Sequence, residues 1–124
     1  MGYQVDILAE TRANDDFRRV LETTDHAQVV VMSVAAGEDI GEETHAGIDQ
    51  VLVFVEGAGE ADLDGDVGKV GPGSLVVVPS GTRHNVRNTG DGSLRLYTVY
   101  GPPEHAPGTV HRTKAEAEAD EHHH

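Results

Sequence analysis

The 124-residue chain contains no cysteine and no tryptophan. Without thiols there are no disulfides, no thiolate nucleophile and no zinc–thiolate site. Basic residues are scarce: Lys69 and Lys114 are the lysines, and Lys plus Arg total 9 against 22 Asp plus Glu. The formal charge of -13 repels phosphate backbones and anionic lipid, which argues against nucleic-acid and membrane-surface partners. Long apolar runs are also missing. Val51–Val55 and Leu75–Val78 fall far short of the roughly 20 residues that a membrane-spanning helix needs. No basic segment followed by an apolar one opens the chain, so a secretory leader is not expected and the predicted location is cytoplasmic.

What the chain does have is valine in short runs, punctuated by 15 glycines and 5 prolines. That pattern reads as strands and turns. Tyr3–Ala9 is expected to open as a strand, followed by a polar loop over Glu10–Asp16. Phe17–Thr23 and Gln28–Val34 read as a hairpin, and Gln50–Glu56 as a strong strand. Asp64-Gly65-Asp66 predicts a turn between Ala61–Leu63 and Val67–Val70, since Asp-Gly favours tight hairpin turns. Leu75–Val78 has the composition of a buried strand; Arg83–Asn88 and Leu94–Tyr100 complete the series. So many short strands at regular spacing predict an all-β barrel or sandwich over residues 1–113. Residues 114–124 form an acidic tail, expected to be disordered or loosely helical. The terminal run His122-His123-His124 reads equally as native sequence or as a remnant of a purification tag.

The chemistry centres on Glu43-Thr44-His45 and Gln50. Strand alternation puts Glu43 and His45 on one face, roughly 7 Å apart. A four-residue loop over Ala46–Asp49 would place His45 opposite Gln50 and so bring a carboxylate, an imidazole and an amide oxygen together. Such an oxygen and nitrogen set suits a divalent ion: Zn, Ni, Mn or Fe. For Glu43 the competing reading is a salt bridge, and for Gln50 a buried hydrogen bond. Alternation from Gln50 turns Leu52 and Phe54 inward, and Val86 shares the face of His84. With Tyr97 and Tyr100 they make the expected pocket lining, for which core packing is the alternative role. His26, His105 and His111, in a turn and a Pro/Gly-rich tail, read as solvated.

Gly73, Pro79, Gly81, His84 and Asn88 match all five positions of the pattern G-x5-P-x-G-x2-H-x3-N. Here the chain resembles the cupin superfamily, small double-stranded β-helix barrels of jelly-roll type, and in particular the small stand-alone prokaryotic forms. The first cupin pattern, G-x5-H-x-H-x4-E-x6-G, is met in frame by Gly37, His45 and Gly57. It departs twice: Glu43 stands at the first His position and Gln50 at the Glu position. The resemblance therefore implies a metal quartet of Glu43, His45, Gln50 and His84, with the carboxylate moved from one corner to another. Gln at that fourth position also occurs in cupins similar to those that process uronic-acid sugars. Two His and one carboxylate are equally the set of non-haem Fe(II) oxygenases. The implied function is a divalent metal acting as Lewis acid in a sugar or organic-acid isomerase or lyase. An Fe(II) dioxygenase and a non-catalytic barrel that binds or senses a small ligand stay open beside it. Stand-alone cupins commonly pair through strands, so a homodimer is expected, with Tyr3–Ala9 as the contact arm.

Overall fold

The structure is a computed structural model and describes residues 2–121. Among the described residues, nine strands form two antiparallel sheets. In chain order they are β1 (Arg18–Thr23), β2 (Gln28–Val34), β3 (Asp49–Glu56), β4 (Gly59–Leu63), β5 (Asp66–Val70), β6 (Leu75–Val78), β7 (His84–Asn88), β8 (Leu94–Gly101) and β9 (Val110–His111). The larger sheet has the order β6-β3-β8-β2-β1-β9 and the smaller β5-β4-β7. Helix α1 (Ile7–Ala13) precedes β1, and α2 (Lys114–Glu121) follows β9.

Alternation along the central strands makes the core. In β8 every second residue from Leu94 to Tyr100 is buried, and β3 buries Gln50, Leu52 and Phe54 on one side. They meet Val30, Met32 and Val34 of β2 and Val86 of β7 between the sheets. Each such apolar side chain contributes about 1.5–3 kcal/mol when fully buried. Two polar residues, Gln50 and Thr98, share this apolar interior, and Gln50 Nε2 donates to Thr98 Oγ1 at 3.0 Å. Gly57 holds a left-handed φ of 93°, and a Cβ there would lie 2.6 Å from the carbonyl oxygen of Ser93. Glycine at that motif position is therefore demanded twice, by conformation and by space.

Several expectations are corrected. Tyr3–Ala9 is not a strand, and Glu10–Asp16 is not all loop: Ile7–Ala13 is helical. Asp6 caps that helix, its carboxylate accepting from Ala9 N at 3.1 Å, and the following ILAETRA has no turn former to oppose it. The period of two seen in Tyr3, Val5 and Ile7 was too short to outweigh the cap. Strand β6 is not buried throughout, for it lies at the sheet edge with Leu75 61% and Val77 51% exposed. The Asp-Gly hairpin, the β1–β2 hairpin and the strands carrying the second motif all form at the expected places. The tail helix is ordered and docked: Ala117 is buried in the core and Lys114 pairs with Asp39. His122-His123-His124 lie outside the described residues.

Candidate metal centre

His84 begins β7, and its alternation with Val86 and Asn88 turns all three inward. The segment from Asp39 to His45 runs antiparallel beside β7 as an extra rung of the smaller sheet. Ile40 N donates to Val86 O, and Glu43 and His84 exchange both backbone hydrogen bonds, each 2.9 Å. Glu43 therefore stands directly beside His84, and His45, two residues on, shares its face. This differs from the expected hairpin. Residues 46–49 do not fold His45 against Gln50; Gln50 pairs instead with Val78 of β6 and Tyr100 of β8. Gly81 N donates to His45 O at 2.9 Å, so the turn before β7 holds this rung in place.

The outcome for three of the four expected residues is close proximity. One ligand atom from each of Glu43, His45 and His84 lies within 4.8 Å of the others. His45 Nε2 is 2.8 Å from Glu43 Oε2, and the His45 and His84 ring centroids are 5.3 Å apart. His84 Nδ1 lies 2.9 Å from Thr82 O, a carbonyl that can only accept. The proton therefore sits on Nδ1 and leaves Nε2 with a free lone pair, the tautomer that metal-bound histidines adopt. His45 Nδ1 faces Glu104 Oε2 at 3.5 Å, so a carboxylate backs this second imidazole as well.

Gln50 lines the same small cavity as Glu43, His84 and Tyr100, about 10 Å³ in volume, close to the room one water-sized sphere takes. Its Nε2 is used by Thr98, but its Oε1 is buried without a partner, and His45 Nε2 also lacks a hydrogen bond of good geometry. Buried polar atoms without partners cost about 1–3 kcal/mol each. The orphaned Gln50 Oε1, beside a carboxylate and two imidazoles, is what a cation would satisfy, so the donor set fits a divalent ion of borderline softness.

Electrostatics around the cluster are tightly coupled. Burial pushes the Glu43 carboxyl upward, but the hydrogen-bonding contact and charge of His45, with Arg18 and His84, outweigh it and hold the group below the usual carboxylate range. Glu43 raises the His45 imidazole above its ordinary value against the opposing effect of burial. Glu104 is raised, chiefly by burial, and the Tyr100 phenol is pushed up by its complete burial.

The expected pocket lining is sorted by the strands. Leu52, Phe54, Val86 and Tyr100 face the interior, as alternation indicates. Tyr97 does not: it alternates with Leu96 and Thr98 and lies half-buried on the other face of β8. Asn88 fixes a turn, donating to Val34 O and Gly92 O and accepting from Gly90 N. His105 is partly buried and His111 buried, where both were expected to be solvated. His105 packs edge-on against Tyr100, and His111, 8% exposed, lies between Arg18 and Asp120. Arg18 is the residue that sequence reading missed. It is 3% exposed, and its Nη2 is 3.9 Å from Glu43 Oε1. The signal lay in the alternation of β1: Val20, two residues on, is buried on the same face as Arg18, while Arg19 between them is exposed. The other arginines near the motif strands pair with acids away from the cluster: Arg83 meets Glu42, Arg87 meets Glu60 and Asp62, and Arg95 meets Asp15 and Glu56.

Two β-sheets closed over an apolar core, with two imidazoles and a carboxylate converging inside, define a small β-barrel with a side-chain cluster that could hold a metal ion. The cupin domain family, Cupin_2, matches residues 30–100, and the chain belongs to that family. It is 44% identical over 125 residues to the uncharacterized protein YrkC of Bacillus subtilis, a match that covers 96% of this chain and 67% of YrkC. The crystal structure of BH2720 from Bacillus halodurans is 45% identical and superimposes with a TM-score of 0.94, over 96% of this chain and 95% of that one. KdgF from Halomonas sp. is similar at 25% identity, with a TM-score of 0.66, over 70% of this chain and 78% of its own.

Proposed function

We propose that this cupin binds one divalent metal ion through Glu43, His45 and His84, with Gln50 as a fourth donor, and uses it on a small sugar or organic acid in an isomerase or lyase reaction. The observation that carries the reading is the convergence of three ligand atoms within 4.8 Å beside a buried, unpartnered amide oxygen. When bound, such an ion supplies Lewis acidity to a substrate carbonyl or hydroxyl oxygen. Thr82 fixes the His84 tautomer, Glu104 backs His45, and Tyr100 with Leu52 and Phe54 keeps the inner side of the site dry. The overall charge of -13 disfavours multiply charged phosphates as substrates. The same two imidazoles and one carboxylate would also serve an Fe(II) oxygenase. Identity of the bound metal separates the two: a stoichiometric redox metal favours oxygen chemistry, zinc or nickel favours Lewis-acid chemistry, and no metal favours a binding barrel.

The donor assignment has a direct test. Glu43→Ala removes a charge and a donor atom, whereas Gln50→Ala removes a neutral donor, so Glu43→Ala should weaken binding of Zn or Mn more, by about tenfold or better. Competition with a chromophoric chelator measures both losses. Equal or reversed losses would assign the Glu43 carboxylate to pairing with Arg18 and His45 instead.

The chain is also proposed to be a homodimer. Its edge strand β6 exposes Leu75 and Val77, and Tyr3, Val5 and Leu8 are exposed in the segment before β1. An exposed apolar sheet edge is a site for pairing with another chain. Sedimentation at micromolar concentration should give twice the 13.2 kDa chain mass, and Leu75→Lys with Val77→Lys should return the monomer. A species at the monomer mass in the unaltered protein would refute pairing.

A further inference from the structure

Arg18 lines a cavity of about 360 Å³ beside α2, with Glu104, His105, Thr109 and His111 among its walls; Arg18 and Glu104 are the wall residues that reach the cluster, at Glu43 and His45. Its guanidinium is almost wholly withdrawn from solvent, yet poorly satisfied. Nη1 contacts His111 Nδ1 at 3.3 Å, Nη2 reaches Glu43 only at 3.9 Å, and Nε is buried with no hydrogen-bond partner. The His111 contact is set up from behind: its Nε2 lies 2.9 Å from Asp120 Oδ2, so the proton sits there and Nδ1 accepts from Arg18. The side chain is thus held through Nη1 while its buried Nε–H has no acceptor. Across the same cavity His105 Nε2 is buried without a partner too.

A guanidinium cannot shed its charge to relieve burial, so an unsatisfied buried Nε–H calls for an anionic acceptor. Within the chain that acceptor is Glu43, but Glu43 is also the charged donor of the proposed metal centre.

We propose that Arg18 is the anchor for a ligand carboxylate in this cavity, and that the ligand is a hydroxylated monocarboxylic acid. Planar carboxylate matches the guanidinium fork, with Nε offering one of the two parallel N–H groups of a bidentate contact. The rest of the wall selects for what the carboxylate is attached to. Glu104 accepts hydrogen bonds from hydroxyls and repels a second anion, Thr109 and His105 Nε2 offer further polar contacts, and Ala106 and Ala117 leave room for a carbon skeleton. A dianionic phosphate or dicarboxylate meets Glu104, Asp120 and Glu121 around the same cavity and is disfavoured. The inference rests on the reading of the adjacent cluster as the reaction centre, because the anchor would hold the acid with its hydroxyls toward that cluster.

The test uses the full chain, metal-free and zinc-loaded, with sodium acetate and sodium glucuronate as carboxylate probes and glucose and glucose 6-phosphate as controls. In ¹⁵N-resolved NMR the buried Arg18 Nε–Hε signal should shift with acetate and with glucuronate and stay unmoved by glucose. Glucuronate should bind at least tenfold more tightly than either glucose or glucose 6-phosphate. Arg18→Gln should lower glucuronate affinity at least tenfold while zinc content, measured separately by elemental analysis, is retained. Arg18→Lys, which keeps the charge and loses Nε, should fail to restore the affinity. An Arg18 signal unmoved by both carboxylates, or equal binding of glucuronate and glucose, overturns the proposal. Should Arg18→Gln not fold, the NMR titration of the unaltered chain still decides it. Loss of zinc binding with an intact carboxylate response would instead sink the metal reading and leave the anchor standing.

Discussion

His84→Ala is expected to lower affinity for a divalent metal at least about 100-fold, to the point where purified protein carries none. Loss of groups that merely orient metal ligands costs about 10–100-fold, and loss of a ligand itself costs more. Of the proposed ligands, His84 has the lone pair best prepared: Nδ1 is committed to Thr82 O, and the β7 register places the residue beside Glu43. Alanine leaves three donors, one of them a neutral amide and another a carboxylate already engaged with His45. The fold itself should survive, because the backbone pairing of His84 with Glu43 does not use the side chain. Metal at 100 times its dissociation constant raises stability by about 2.7 kcal/mol when it binds the folded state alone. Adding zinc or manganese should therefore raise the melting temperature of the unaltered chain and leave that of His84→Ala unmoved. An equal rise in both would place the bound metal somewhere else.

Acidification from pH 7 to pH 4.5 should destabilise the protein by more than its carboxylates explain, and His105→Phe should remove the excess. Burial, with the nearby positive charge of Arg18, pushes the His105 imidazole down to about 4. In the unfolded chain the ordinary value near 6.5 applies. Between these values the unfolded chain takes up a proton that the folded one refuses, so stability rises with pH across that window. The contribution is complete above about pH 6.5 and lost as pH falls through 4. A shift of this size corresponds to roughly 3 kcal/mol, reduced to about 2 by the partial exposure of the ring. Phenylalanine keeps the edge-on packing against Tyr100, 5.3 Å between centroids, and cannot titrate. Urea midpoints of the two proteins at pH 7 and 4.5 measure the difference. Carboxylate protonation is common to both, so parallel losses of stability would show that His105 is not the group responsible.

How far these features could be read without coordinates depends on whether the deciding force was local. Strands β3, β7 and β8 were legible because alternation and flanking Gly, Pro and Asp act within a few residues, and the inward placement of Leu52, Phe54 and Val86 follows from it. The short distance between Glu43 and His45 was legible for the same reason. Their alignment with His84 was reached through the motif spacing, not through pairing, and the pairing first inferred was wrong. Residues 39–45 dock on β7, some forty residues later in the chain, a contact no local pattern reveals. Tyr97 is aromatic and near the motif, but the alternation set by Thr98 along β8 turns it to the other face. Arg18, His105 and His111 were passed over because a buried charge or imidazole in a polar stretch is identified by its distant partners. Here those partners are Glu43, Tyr100 and Asp120, contributed by other parts of the chain.

Metal stoichiometry tests the central claim most directly. The chain should be prepared without residues 122–124 and never exposed to a nickel column, because the terminal histidines bind metal on their own account. After equilibration with a mixture of manganese, iron, nickel and zinc and removal of the excess, elemental analysis should find one divalent ion per chain. The ion should be absent from His45→Ala prepared in the same way. A folded protein that retains no metal, or one that retains the same amount without His45, would contradict the assignment of Glu43, His45 and His84 as a metal centre.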